Sequence, residues 1–454
     1  MNSEILKKMD QFRKDYLQQL LPKPIVTCCR FVFRTGRKLH HVTIDKYLLQ
    51  TRDKKYKVVL NRIKEKKEPV NVIFLALYSS IWKYDSIYEL MRKDSRFHPI
   101  VAVCPVVDKG KEHMLETFRQ TLTHFQSKGY EVIPLYDIEN DNYINIDALA
   151  PDIIFYTEPY NIQIKDCYYI RKALSNSLTC YVNYGYSPFT FSWECSIFHK
   201  LLWAYFCEAE EIKKDFEVRF GLNNQIVTGY PLYDSFVFGP KKSEIWKIKD
   251  PGFKKVIWAP HHSISKPKTE EDLSCSSFLL NAHYMVEIAR KYSDRIQFVF
   301  KPHPKLKHTL YNHPDWGKEK TDAYYKLWNE MPNTTYHTGE YIGLFNSSDA
   351  LIHDCCSFFV EYLYTGKPLL YTSTTLNEKY LGAVGKIAFH CQYFSKNNNE
   401  IADFIDTVVL MNIDPKKNDR IDFFNEKLKP QHTKTVAEAM LNHLVDAIFE
   451  KKDL

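Results

Sequence analysis

Groups able to donate protons or hydrogen bonds gather in four short stretches of the C-terminal half. They are His261, His262 and Ser263 in "APHHS", Lys301 and His303 in "KPHP", Gly339 and Glu340 in "HTGEY", and Asp354, Cys356 and Ser357 in "HDCCS". Imidazole, ammonium and hydroxyl groups donate hydrogen bonds, and lysine adds positive charge, so the set suits an anion with several oxygens. A diphosphate is the usual anion of that kind in an enzyme cleft, above all where a helix N-terminus adds free amides. Each residue alone also has a plainer role. Asp354 and Ser357 make good N-caps, and a histidine after a strand is often a hydrogen-bonded turn residue.

Each stretch follows a short apolar run. "KKVIWAP" (254–260), "IQFVFKPHP" (296–304), "TTYHTG" (334–339), "DALIHD" (349–354) and "KPLLYT" (367–372) read as buried strands. An earlier series has the same character: "VNVIFLAL" (70–77), "FHPIVAVCPV" (97–106), "YEVIPLYD" (130–137), "PDIIFYT" (151–157) and "LTCYVNYG" (178–185). Amphipathic segments such as "YDSIYELMRK" and "HMLETFRQTLTHFQSKG" lie between the runs. This alternation predicts an α/β protein with two Rossmann-like, doubly wound domains facing a cleft, separated at "FGPKKSEIWKIKDPG". The expected division is a basic, helical extension over 1–68, a first domain over 69–238, a second over 250–412, and C-terminal helices over 413–454 that pack back on the first domain. In open parallel sheets ligands sit beyond the carboxyl ends of the strands, where all four stretches fall. Neither G-x-G-x-x-G nor G-x-x-x-x-G-K-[ST] occurs, which argues against a dinucleotide oxidoreductase and a P-loop enzyme.

The chain has 454 residues, 44% of them hydrophobic and 15% aromatic, enough for two or three domains with ordinary cores. Its eleven cysteines are odd in number, include the adjacent pairs Cys28-Cys29 and Cys355-Cys356, and form no Cys-x-x-Cys, so a reducing cytosol and no zinc knuckle are expected. No apolar run approaches the roughly eighteen residues of a membrane span, and the charged opening "MNSEILKKMDQFRKDYLQQLL" does not read as a signal peptide. Charge is concentrated in residues 1–68, with eighteen lysines and arginines against seven acids, while the total is +7. There Ile25, Val26, Phe31 and Phe33 alternate with Arg30, Arg34, Arg37 and Lys38, which suits either an anionic membrane surface or a solvated helix packed on its own protein. No RNA- or DNA-binding motif accompanies the charge, so nucleic acid is not an expected partner. The expected location is cytoplasmic, peripheral on the inner face of the cell membrane.

"FVFKPHP", followed by "SDALIHDCCSFFVEYLYTGKPLLY", resembles the C-terminal half of the CDP-glycerol glycerophosphotransferase family, the teichoic-acid primases and polymerases, whose fold is similar to that of the two-lobed GT-B glycosyltransferases. The family's Lys/Arg-x-His-Pro strand end matches "KPHP" and implies that His303 binds the donor's diphosphate. Its Thr-Asp-Tyr-Ser-Ser turn matches His353 to Ser357, and its Phe-Asp-Phe matches Val360-Glu361-Tyr362 ahead of Lys367-Pro368. The likeness is good from Lys254 to Thr372 and loose in the first domain. It implies a donor-binding second domain, with Lys301, His303, Gly339, Glu340, Asp354, Cys356 and Ser357 around the donor, and an acceptor-binding first domain.

Two departures stand out. Cys356 replaces a serine, keeping size but weakening one hydrogen bond. The family's Trp-His-Gly-Thr-Pro turn, which supplies the catalytic base, corresponds to "NYGYSP", so Tyr184 stands in place of the histidine beside Gly185. A phenol of ordinary pKa about 10 is a poor base at neutral pH. His261, His262, Glu158 and Tyr184 all remain candidates for the base. The reaction implied is attack of an acceptor hydroxyl on the polyol-side phosphorus of a CDP-alcohol, with charge on departing CMP met by Lys301, His303 and Ser357. The acceptor would be lipid-linked or an oligosaccharide, in capsule or teichoic-acid-like polymer synthesis. No Asp-x-Asp follows a strand, so no obligatory metal or other cofactor is expected beside the nucleotide-activated donor. A GT-B glycosyltransferase using a nucleotide sugar, inverting or retaining, and a membrane-associated scaffold without catalysis are the alternatives.

Overall fold

The computed structural model describes residues 23–186, 188–190, 195–264, 276–372 and 378–450, with side chains from residue 43 onward. Its first element is one long helix, Lys23–Lys64. The chain divides into a unit ending at Val58 and a second unit from Val59 onward, which holds both sheets. Residues 1–22 of the basic segment, and the side chains of Ile25, Val26, Arg30, Phe31, Phe33, Arg34, Arg37 and Lys38, lie outside the described residues. Within the second unit the end of the helix is tied down by charge. Arg62 and Lys66 reach the buried Asp152 at 3.2 and 2.5 Å.

The first sheet contains β1 (Val70–Ala76), β2 (Phe97–Val103) and β3 (Val132–Pro134), and a separate hairpin pairs β4 (Tyr136–Asp137) with β5 (Asn142–Tyr143). The sheet continues with β6 (Ile153–Tyr156), β7 (Leu178–Val182), β8 (Ala204–Cys207) and β9 (Gln225–Val227). Its order is β3-β2-β1-β6-β7-β8-β9, every pairing parallel. The second sheet contains β10 (Lys254–Ala259), β11 (Ile296–Phe300), β12 (Thr334–Tyr336), β13 (Ala350–His353), β14 (Leu369–Tyr371) and β15 (Tyr393–Phe394). They are ordered β12-β11-β10-β13-β14-β15, again all parallel. Sequence periodicity anticipates most of these strands but misses β8, β9 and β15. The run 130–137 breaks into β3 and β4, and only β3 joins the main sheet.

The central strands are buried on both faces, which is why they read as continuous apolar runs rather than alternating ones. Aromatic packing fixes the second lobe. Trp258 of β10 stacks on Phe278 and Phe300 at centroid distances of 5.7 and 5.0 Å and meets Trp328 at 5.4 Å. Such pairs contribute about 0.5–1.5 kcal/mol each beyond area burial.

Two features of the connectivity position the site. Each sheet starts at a central strand, runs to one edge and returns to the other side, so chain direction switches between β1 and β6 and between β10 and β13. Ligands of such sheets bind at that switch, outside the carboxyl ends. Register does the rest: Ala259 pairs with His353 and Trp258 with Phe300, so the chain leaves the second sheet at Pro260, Lys301 and Asp354 nearly side by side. The last helix, Val436–Phe449, packs on the first lobe. Asp234 accepts the Val436 and Ala437 N–H groups at 2.8 and 3.0 Å, and Phe449 meets Phe97 edge-on at 5.7 Å.

Candidate functional site

At the switch point of the second sheet three imidazoles converge. The His261, His262 and His303 rings have centroids 4.2 Å (261–262), 4.2 Å (262–303) and 5.0 Å (261–303) apart. Burial, reinforced by the neighbouring rings, pulls His303 down to about 2 and His262 to about 4, so both are neutral at pH 7. Their hydrogen bonds fix the proton. His303 Nδ1 accepts the Lys305 N–H at 3.1 Å, so in this neutral ring Nε2 carries the hydrogen, and His261 Nδ1 accepts the Ser263 N–H at 3.3 Å, which leaves Nε2 as that ring's donor. Those rings therefore present N–H donors. Lys301 lies beside them, 7% exposed, its Nζ donating to the Gly339 carbonyl at 3.0 Å. Burial lowers its pKa to about 8, with Glu340 opposing.

Among the described residues these three histidines are also the group able to hold a metal ion, with ligand atoms within 4.8 Å of one another. A metal takes a lone pair, and at His261 and His303 the Nδ1 lone pairs are engaged while Nε2 carries hydrogen. His262 differs from the other two, its buried Nδ1 having no hydrogen-bond partner. Gly339 and Glu340 are exposed on the loop after β12. At Gly339 a Cβ would sit 2.6 Å from His337 Cε1, so a side chain there would have to displace that imidazole.

The turn after β13 differs in detail from the sequence expectation. Asp354 is fully buried and does not face the cleft. Its carboxylate accepts the His261 N–H, the Ser277 N–H at 2.6 Å and the Ser277 hydroxyl at 2.9 Å, stitching three loops together behind the histidines. The helix expected to begin at Cys356 or Ser357 is a single turn, Phe358–Glu361, continued by a 3-10 turn, Tyr362–Thr365, and ended by Gly366 at φ 67°. Aligned peptides sum to make a helix dipole, so one turn offers little field. Positive charge at this site comes instead from Lys301.

Ser357 and Cys356 face the first lobe. A Cβ on Gly185 would lie 4.0 Å from Ser357 Cβ, so the "NYGYSP" turn and the "HDCCS" turn meet across the cleft. Beside this meeting point is a cavity of about 390 Å³, lined by Tyr160, Tyr184, Tyr186 and Glu208 of the first lobe and Cys356 and Ser357 of the second. Tyr184 hydroxyl pairs with that of Tyr160 at 3.1 Å, and burial pushes its phenol far up, so it stays protonated and can donate but not act as a base. Glu158, after β6, is buried with Oε1 unpartnered, and burial next to Asp108 raises it to about 8. Ser187 lies outside the described residues.

One acidic residue escaped the sequence reading, and a second, Glu361, entered it only through the family likeness, without a site role. Glu208 follows β8, 4% exposed, with Oε2 unpartnered. Burial raises it to about 7 against a hydrogen bond from the Asn183 side chain. The run "WAYFCEAEE" (203–211), apolar then acidic, was the available signal. Glu361, buried between the lobes, accepts from Tyr341 hydroxyl at 2.7 Å and Tyr230 hydroxyl at 3.5 Å.

With this geometry in view, the comparisons with known proteins fall into place. A family model described as CDP-Glycerol:Poly(glycerophosphate) glycerophosphotransferase matches residues 200–446. Among solved structures the chain is similar to UDP-GlcNAc 2-epimerase from Neisseria meningitidis bound to UDP-GlcNAc, with 13% identity, TM-score 0.53, and 83% of this chain and 100% of that one covered. It is equally similar to a variant of the wall teichoic acid polymerase TagF, with 12% identity, TM-score 0.53, and 92% and 98% covered. An S. aureus MnaA with UDP follows at 13% identity, TM-score 0.51, and 85% and 98% covered. At these identities the likeness shows the fold, two-lobed and GT-B-like. No curated protein matches the chain in sequence.

Proposed function

The chain belongs to the CDP-glycerol:poly(glycerophosphate) glycerophosphotransferase family and is an enzyme of that type, and on this premise we propose that it moves a polyol phosphate from a CDP-alcohol, CDP-glycerol or a close analogue, to a hydroxyl of a lipid-linked or oligosaccharide acceptor. The acceptor oxygen attacks the polyol-side phosphorus, the bond to CMP breaks, and CMP leaves with the electron pair. Neutral His303 donates a hydrogen bond from Nε2 to the diphosphate, His261 Nε2 donates beside it, and Lys301 supplies the charge. Because an anion stabilises the protonated lysine, donor binding raises the lysine pKa from about 8 and secures the cation at neutral pH. Ser357 and Cys356 contact the transferred group from the floor of the cleft. Asp354, Gly339 and Glu340 shape the pocket without carrying the charge. Residues 1–68 hold the enzyme on an anionic leaflet, where a lipid-linked acceptor would lie; among the described residues no helix is long and apolar enough to cross a membrane.

The observation that carries this reading is the convergence of three imidazoles and one buried lysine at the switch point of the second sheet. The test is CMP release from CDP-glycerol, with CDP-ribitol and UDP-sugars as competing donors. His303→Ala should slow release about 10²-fold, as removal of a charge-stabilising donor does, with the melting temperature close to that of the parent. Release of UDP from a UDP-sugar in place of CMP would move the assignment to a glycosyltransferase. Unchanged turnover in His303→Ala would remove the donor site from this cluster.

A further inference from the structure

The family turn that carries a catalytic histidine carries Tyr184 here, and that phenol stays protonated, so the acceptor's proton needs another destination. The cavity beside Gly185 offers one. It opens to Ser357 and Cys356 on the donor side, and its wall includes a carboxylate with no partner for one oxygen. That carboxylate, Glu208, stands at the carboxyl end of β8, next to β7 and its Tyr184 turn in the sheet order. A buried carboxylate oxygen without a partner is costly to maintain, and a catalytic role is one of the few reasons a fold keeps one. The Asn183 side chain orients Glu208 by a hydrogen bond.

We propose that this cavity seats the acceptor hydroxyl and that Glu208 is the general base that takes its proton. The acceptor oxygen forms its bond to the polyol-side phosphorus as the O–H proton passes to Glu208 Oε2. The P–O bond to CMP breaks, CMP leaves with the electron pair toward Lys301 and His303, and Glu208 then returns its proton to solvent. Glu158 does not compete for this role, because it is not part of the cavity wall that Ser357 shares. The cavity's aromatic rings, Tyr160, Tyr184, Tyr186 and Phe216, suit the apolar faces of a sugar or polyol chain. The pH behaviour follows from what faces Glu208. Tyr181, Tyr186, Tyr230, Tyr364 and Cys207 are pushed upward by burial and stay neutral near pH 7, while the other carboxylates of the same wall are ion-paired, Glu211 with Lys427 and Asp215 with Arg219, and the Glu208 carboxyl itself is raised by burial to about 7.

This inference rests on the donor reading above, and the experiment separates the two. CMP release from CDP-glycerol is followed in the full chain with oligo(glycerol phosphate) as acceptor, for the parent, Glu208→Gln and Glu208→Asp, alongside CDP binding by calorimetry. Glu208→Gln should bind CDP as the parent does and turn over 10²- to 10⁴-fold more slowly, the range for loss of a general base. Glu208→Asp should recover part of the rate. The parent's kcat/KM should fall below about pH 7 with a slope of one proton, and Glu208→Gln should lack that limb. A Glu208→Gln enzyme with the parent's rate, or one that keeps the acid limb, overturns the base assignment and leaves the donor reading standing. A parent that binds no CDP and releases no CMP overturns the donor reading and the base assignment with it.

Discussion

Replacing Glu158 with glutamine should stabilise this protein, and only above a defined pH. The folded carboxyl sits near 8 because burial removes its water and Asp108 repels its charge, whereas the unfolded chain titrates near 4.5. Below about pH 4.5 both states hold the proton and the site is neutral toward stability. As pH rises from 4.5 to 8 the unfolded chain releases the proton while the folded one retains it, so stability falls; above 8 the loss is complete. A separation of 3.5 units at 1.36 kcal/mol each makes the full loss about 5 kcal/mol. For a chain of this length the unfolding entropy is about 1 kcal/mol per kelvin, so Tm should shift by about 5 °C. Scanning calorimetry of the parent and Glu158→Gln at pH 5 and pH 8.5 measures this directly. The two should melt within about a degree at pH 5, and the variant should melt about 4–5 °C higher at pH 8.5. Equal melting temperatures at both pH values would mean that water reaches Glu158 and that the carboxyl edge of the first sheet is not dry. A variant less stable at pH 8.5 would mean that the ionised carboxylate has a partner.

Two further outcomes test the frame around the site. Asp234→Ala leaves the buried Val436 and Ala437 N–H groups without an acceptor, so it should cost about 2 kcal/mol and raise amide exchange first along Val436–Phe449; unchanged exchange there would refute the anchoring role. Deleting residues 1–42, which spares the Arg62 and Lys66 contacts to Asp152, should abolish salt-sensitive sedimentation with anionic vesicles while CMP release is retained; equal sedimentation of both proteins would refute the membrane role.

Local sequence determined a good deal of this molecule. Short apolar runs alternating with amphipathic segments dictate parallel, doubly buried strands, because such strands have no solvent face on which to alternate. The residues that end those runs, His261-His262, Lys301 with His303, and Asp354 to Ser357, were therefore legible as residues at carboxyl ends. The "KPHP" and "HDCCS" stretches also carried the family likeness that the match over residues 200–446 bears out. What the sequence could not supply is which ends are neighbours. The order β11-β10-β13 brings His303, His261 and Asp354 together across some ninety residues of chain, and it follows from non-local strand pairing. The same limit hid Asp354's true partners: its type fits an N-cap, yet it is the approach of the 261 and 277 loops that consumes its carboxylate. Glu208 shows the limit most clearly. A glutamate after a four-residue strand is unremarkable in sequence, and only the packing that brings Tyr181, Tyr186, Tyr230 and Tyr364 around it removes its water and leaves one carboxylate oxygen without a partner. Charge state at a site is set by desolvation, and desolvation belongs to the packed whole rather than to any stretch of chain.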